Sequence, residues 1–137
     1  MRWCAAIVGI LLASVSVADD KPTIRTLELN QVELVYPDRA TEPKPVIITT
    51  ADDLTKASQF ANDASRAAIK KQVDFAKEKL VIFVWAGSGG DRLMPDMKIN
   101  DGKASIVFRY KMGFTDDFRQ HAAIFAIPKD ATVEVKK

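Results

Sequence analysis

The sequence has very few of the residues that build reactive centres. Among its 137 residues there is one cysteine, Cys4, and one histidine, His121. If the leader described below is removed, no cysteine remains, which excludes disulfides, thiol nucleophiles and cysteine-ligated metals. A single histidine does not complete a zinc site, and no motif pairs it with a serine or cysteine nucleophile. The composition therefore predicts no catalytic centre, no metal and no cofactor.

A hydrophobic run long enough to span a bilayer is also missing. Arg2 precedes an apolar stretch at residues 4–15, and the small residues Ser16 and Ala18 flank Val17. This is the pattern of a secretory signal peptide. The alternative, a short membrane anchor, is disfavoured because spanning a bilayer takes about 20 apolar residues. We expect cleavage after Ala18 and a secreted or periplasmic protein with no stable membrane anchor.

Residues 19–137, which remain after the expected cleavage, carry no large net charge. They contain 19 basic and 18 acidic residues, a net charge of +1. No basic stripe is visible along the sequence, so we expect no binding to nucleic acid. The length is that of one domain, and no internal repeat divides it.

The strongest positive feature is an apolar run at residues 80–86, followed at once by glycines. Its content of Val, Ile, Phe and Trp predicts a strand buried on both faces. Trp85 is expected in the core, with an acceptor near its indole N–H. The segment that follows is a candidate binding loop, made of Gly87, Ser88, Gly89, Gly90, Asp91 and Arg92. Either its backbone N–H groups face an anion or a partner chain, or it is a tight turn that needs positive φ.

Local signals place the other elements. Thr50 and Asp53 form a capping-box-like helix start, and a second helical stretch at residues 64–73 follows Asn62. Asp101-Gly102 between two apolar runs predicts a β-hairpin. Residues 23–36 alternate well enough for one or two strands, and further strands are expected at residues 46–49, 120–127 and 132–136. The whole predicts an α+β domain, an antiparallel β-meander with one or two short helices packed on it.

Three aspartates, Asp91, Asp96 and Asp101, recur at intervals of five residues. The spacing does not match a calcium-binding loop of the EF-hand type, which alternates its ligands. We therefore interpret them as solvated carboxylates in turns.

The segment between the last two long strands holds two further candidates. Phe114 and Phe118 lie in an expected loop, where they either pack inward or are displayed as anchors for a partner. The alternative to a non-catalytic domain is a small hydrolase or lyase in which His121 acts with Asp116 or Asp117, which lie close to it in sequence, in acid–base chemistry. The alternative for His121 is a half-buried residue at a strand end.

The order of these features also resembles known proteins. A TTADDL helix start leads to VDFAKEKLVIFVWAGSGGD, then a strand pair, then a closing AIFAIPKD. In this the chain resembles uncharacterised small secreted proteins of planctomycete-type bacteria and, more distantly, the C-terminal domain of PrcB-type protease-complex subunits. The resemblance covers residues 47–136. It implies a non-catalytic accessory or binding domain outside the cytoplasm, with a protein partner in a protease or envelope complex.

Overall fold

The structure is a computed structural model, and it describes residues 21–137 as seven strands and two helices. The predicted signal peptide lies outside the described residues. The elements are β1 (Arg25–Thr26), β2 (Val46–Ile48), α1 (Ala51–Lys56), α2 (Asp63–Lys70), β3 (Glu78–Ser88), β4 (Arg92–Asn100), β5 (Lys103–Lys111), β6 (Phe118–Pro128) and β7 (Thr132–Lys136). Neither described helix has the length and apolar character that a membrane crossing requires.

Both helices begin at the caps that the sequence predicts. The Thr50 side chain accepts a hydrogen bond of 3.1 Å from the backbone N–H of Asp53. Asn62 accepts one of 2.8 Å from the N–H of Ser65. These bonds satisfy N–H groups that have no partner inside the helix.

Strand β3 is one of the two inner strands of a four-stranded sheet with the order β1-β6-β3-β2. Its side chains alternate between two hydrophobic clusters, as the two-residue period of a strand requires. Leu80 and Ile82 face the helices, whereas Val81, Phe83 and Trp85 face the second sheet. The prediction of a strand buried on both faces is confirmed.

The second sheet has three strands in the order β4-β5-β7. β4 and β5 form the predicted hairpin, whose turn places Asp101 at φ 50° and Gly102 at φ 77°. Strand β5 turns Ile106 and Phe108 into the cluster shared with β3, and its alternate residues face outward. Pro95, which has no N–H to donate, lies on the edge strand β4, where proline is tolerated.

The domain therefore has three layers: the helices, the four-stranded sheet and the three-stranded sheet. It contains strands and helices with mostly antiparallel pairing, as an α+β domain does, but strands dominate. The predicted meander is wrong, because β6 returns to pair with β3 and β7 runs parallel to β5. Within residues 23–36 only Arg25–Thr26 forms a strand; Leu34 makes one isolated bridge to Phe60.

Candidate functional site

Two segments that are far apart in sequence meet at one end of the sheets. Strand β3 ends at Ser88, and Ser88 pairs with Phe118, where β6 begins. The glycine turn (residues 87–92) therefore lies beside the aromatic loop (residues 112–118). The sequence indicated both segments as candidates for binding, and the structure brings them together.

Close packing, and not positive φ, accounts for Gly87 and Gly89 in this turn. The segment is a tight turn between β3 and β4, closed by a 3.0 Å bond from the N–H of Asp91 to the carbonyl of Ser88. Among the described residues only Asp101 and Gly102 have positive φ, so the positive φ of the tight-turn alternative is wrong for residues 87–92. A Cβ on Gly87 would overlap the carboxylate of Asp91, and one on Gly89 would overlap that of Asp117. Glycine is used here so that carboxylates can approach the backbone.

Asp91 is a buried structural carboxylate with 8% of its surface exposed. One of its oxygens accepts from the indole N–H of Trp85 at 3.3 Å and from the hydroxyl of Tyr110 at 3.1 Å. The other accepts from the N–H of Gly113 at 2.8 Å. The interpretation of Asp91 as a solvated turn carboxylate is therefore wrong, because three donors from β3, β5 and the aromatic loop hold it inside. The acceptor expected for Trp85 is this carboxylate.

Burial raises the pKa of Tyr110 to about 12, and the hydrogen bond and negative charge of Asp91 act in the same direction. A phenolate here would lose its solvation and face a carboxylate. Tyr110 therefore stays a neutral donor over the physiological range.

A chain of hydroxyl groups fixes the aromatic loop to the glycine turn. The hydroxyl of Thr115 donates to a carboxylate oxygen of Asp117, so the hydroxyl of Ser88, 2.6 Å away, must donate to Thr115. The Ser88 oxygen in turn accepts from the N–H groups of Gly90 at 3.2 Å and Thr115 at 3.0 Å. Each group in this chain is satisfied, and its bonds join residues 88–90 to residues 115–117.

Asp117 closes the same network. The hydrogen bond from Thr115 holds its pKa well below the usual range, together with bonds from Arg119 and from the N–H of Gly89. The Arg119 bond is 2.8 Å and the Gly89 bond is 3.1 Å. Asp117 is thus an ionised acceptor that orders the loop.

The aromatic loop displays its apolar side chains. Phe114 is 93% exposed and Phe118 is 55% exposed, and Met112 beside them is 57% exposed. Of the two alternatives left open by the sequence, packed inward or displayed, the structure shows the second. Met112 is a member of this surface that sequence reasoning missed, because a methionine at a strand end has no distinctive pattern.

His121 is held away from acid–base chemistry with the nearby aspartates. Its ring stacks on Trp85 with centroids 5.0 Å apart, and its Nε2 lies 2.8 Å from the carbonyl oxygen of Ser88. A carbonyl only accepts, so Nε2 carries the proton. His121 and Asp117 share the wall of a cleft of about 390 Å³. However, the hydrogen bonds of Asp117 go to Thr115, Gly89 and Arg119.

Arg92 is exposed and begins β4, with Lys111 as its partner on β5. It points to the outer face of the second sheet. In the described part of the chain no group of three or more His, Cys, Asp or Glu residues is placed to hold a metal ion.

No protein-family model matches this chain, and neither the curated proteins nor the solved structures compared with it give a match. The resemblance to PrcB-type subunits thus stays a prediction.

Proposed function

We propose that this chain is a non-catalytic binding domain that acts outside the cytoplasm and docks a protein partner through the aromatic loop. The observation that carries the proposal is Phe114, an aromatic side chain almost wholly in solvent on a loop that hydrogen bonds fix in place. Aromatic residues are enriched among those that dominate binding energy at protein interfaces.

The way the loop is held supports this role. Binding costs less entropy when the anchor residues are already ordered in the free protein. The Ser88–Thr115–Asp117 chain and the bond from Gly113 to Asp91 supply that order. In this proposal the glycine turn is the frame of the site, whereas Met112, Phe114 and Phe118 make the contacts.

The chemistry of the site gives no support to the alternative of a hydrolase or lyase. The bonds of Asp117 with Thr115, Gly89 and Arg119 order the loop, and the Nε2 of His121 donates to the carbonyl of Ser88. We propose no second function. The resemblance to PrcB-type subunits adds a protease or envelope complex as the kind of assembly that the domain would assist.

To test this, a protein comprising residues 19–137 is immobilised, and the secreted and envelope fractions of the native host are passed over it. The variant Phe114→Ala/Phe118→Ala removes two exposed aromatics of the loop. The matched control is Ile47→Ala/Ile99→Ala, which removes two exposed apolar side chains, 44% and 50% exposed, at positions outside the aromatic loop. All three proteins are first compared by thermal unfolding.

We expect a protein that the wild type and the control retain and the loop variant loses. The affinity of the purified partner for the loop variant should fall at least tenfold, because an anchor residue at an interface contributes about 2 kcal/mol or more. Equal retention by all three proteins would rule out the aromatic loop as the docking site.

A further inference from the structure

The excess positive charge of the domain is concentrated on one surface. Residues 21–137 carry 19 basic and 16 acidic residues, a net charge of +3. The outward-facing positions of β4, β5 and β7 carry six basic and two acidic residues, a net charge of +4. We call this surface the basic face. Its basic residues are Arg92, Lys98, Lys103, Arg109, Lys111 and Lys136, and its acidic residues are Asp96 and Glu134.

Strand geometry creates this surface from residues that look unremarkable in the sequence. Because side chains alternate, every second residue of β5 enters the core and the others, including Arg109 and Lys111, face solvent. The register then sets Arg92 opposite Lys111, and Arg109 beside Lys136. Like charges in such positions repel each other and destabilise a sheet. An anionic counterpart would relieve that repulsion.

The two acidic residues of the basic face neutralise only part of its positive charge. Asp96 lies 3.6 Å from Arg109, and Glu134 lies 3.6 Å from Lys136. Within residues 21–137, no ion pair is recorded for the other four basic side chains. Those four are Arg92, Lys98, Lys103 and Lys111.

We propose that the basic face docks the domain, reversibly, on an anionic phospholipid membrane. The unpaired cations lie at both ends of β4 and β5, Arg92 and Lys111 at one end and Lys98 and Lys103 at the other. Nine-residue strands are about 30 Å long, so the charges are spread over a broad sheet face and do not follow one line. A plane of headgroups meets all of them at once, whereas a single polymer strand follows a stripe.

Met94 supplies a second argument for lipid. It lies on the basic face, opposite Arg109, and is 52% exposed. Surfaces that bind at a membrane interface combine basic residues, which attract anionic lipid, with apolar side chains, which enter the headgroup region. A soluble polyanion offers such a side chain no apolar environment.

This inference goes beyond the proposed protein partner and does not depend on it. Lys111 is followed directly by the aromatic loop, so docking by the basic face would place Phe114 at the rim of the contact. There it remains available to a membrane-associated protein.

The test measures binding of residues 19–137 to vesicles by sedimentation. One set contains phosphatidylcholine with about 30% phosphatidylglycerol and the other phosphatidylcholine alone, because anionic lipid is the proposed source of attraction. Binding is measured at roughly 0.1 M and roughly 1 M salt, where the Debye length falls from about 10 Å to about 3 Å. We expect binding only to the anionic vesicles, and its loss at high salt.

The variant Lys98→Gln/Lys103→Gln/Lys111→Gln removes three unpaired charges from the basic face. Each basic residue near an anionic surface strengthens binding roughly fivefold, so we expect a loss on the order of a hundredfold. The same three positions changed to arginine should retain binding. The matched control, Lys44→Gln/Lys70→Gln/Lys71→Gln, removes equal charge from exposed positions outside the second sheet and should lose far less.

Four results would overturn the proposal. Equal loss in the control variant would mean that net charge alone matters. If the wild type bound neutral vesicles as well as anionic ones, or bound no anionic vesicles, an anionic membrane would be excluded as the binding partner. Tighter binding to duplex DNA or to a sulfated polysaccharide than to anionic vesicles would replace the membrane with a soluble polymer.

Discussion

Gly90 and Gly113 touch backbone to backbone, and this contact joins the glycine turn to the aromatic loop. A Cβ on Gly113 would lie 2.5 Å from the Cα of Gly90 and 2.7 Å from the N of Asp91, while one on Gly90 would lie 3.2 Å from the Cα of Gly113. Neither position has positive φ. Glycine is needed at Gly113 because the two segments approach more closely there than a side chain allows, whereas a Cβ on Gly90 would be only a tight fit.

We therefore predict that Gly113→Ala destabilises the domain by about 1–3 kcal/mol, the usual cost of overpacking. The added methyl group meets only backbone atoms, which cannot rotate away. Gly89→Ala is the control, because its Cβ meets only the end of the Asp117 side chain, and it should cost clearly less. Denaturant unfolding measures both; equal stability of Gly113→Ala and the wild type would contradict the close contact.

The second prediction concerns the buried carboxylate of Asp91. Asp91→Asn keeps the shape but replaces one acceptor oxygen with an NH₂ donor, while the indole N–H of Trp85 and the N–H of Gly113 still need acceptors. Leaving a buried donor unpaired costs about 1–3 kcal/mol, so we expect a loss of that size in urea unfolding.

The control for this change is Asp96→Asn on the exposed strand β4. Its 3.6 Å ion pair with Arg109 is largely solvated, and such pairs contribute about 1 kcal/mol or less. If the two substitutions cost the same, Asp91 is not the structural acceptor described above.

The third prediction is a loss of stability at alkaline pH through Tyr110. Its folded pKa of about 12 lies above the value of 10.0 for a free tyrosine. As pH rises, the unfolded chain therefore releases the Tyr110 proton before the folded protein does. The contribution of Tyr110 to the free energy of unfolding is fully present below pH 10 and is lost as pH rises toward 12. A difference of two pKa units corresponds to about 3 kcal/mol. Tyr110→Phe has no proton to release, so its stability should fall less over that interval. If the free energy of unfolding, measured by urea titration, falls equally for the two proteins between pH 10 and pH 12, the raised pKa of Tyr110 is contradicted.

Sequence reasoning succeeded where the signal is local or strongly periodic. The cap at Thr50, the Asp101-Gly102 hairpin and the burial of β3 all follow from a few adjacent residues. It failed where distant residues decide the outcome. The pairing of β6 with β3 and the parallel approach of β7 to β5 leave no mark in the sequence of any single strand.

The candidate site shows the same division. The sequence indicated the glycine turn and Phe114, but the reason for Gly89 is Asp117, and the burial of Asp91 depends on Tyr110. The absence of a basic stripe was a correct description of the sequence and a poor guide to the surface. The basic face exists only because the register of three strands brings alternate residues together.

The last prediction separates the role of Phe114 in binding from any role in folding. Because Phe114 is 93% exposed, Phe114→Ala should change the free energy of unfolding by no more than about 0.5 kcal/mol, as most surface substitutions do. Phe108 is fully buried beside Phe83, with ring centroids 4.8 Å apart, and Phe108→Ala should cost about 3–5 kcal/mol. Urea unfolding of both variants provides the measurement. A large loss for Phe114→Ala would mean that the side chain packs against the fold in solution, and the aromatic loop would then have no displayed anchor. A negligible loss would mean that Phe114 contributes nothing to stability, as expected of an exposed aromatic residue that binds a partner.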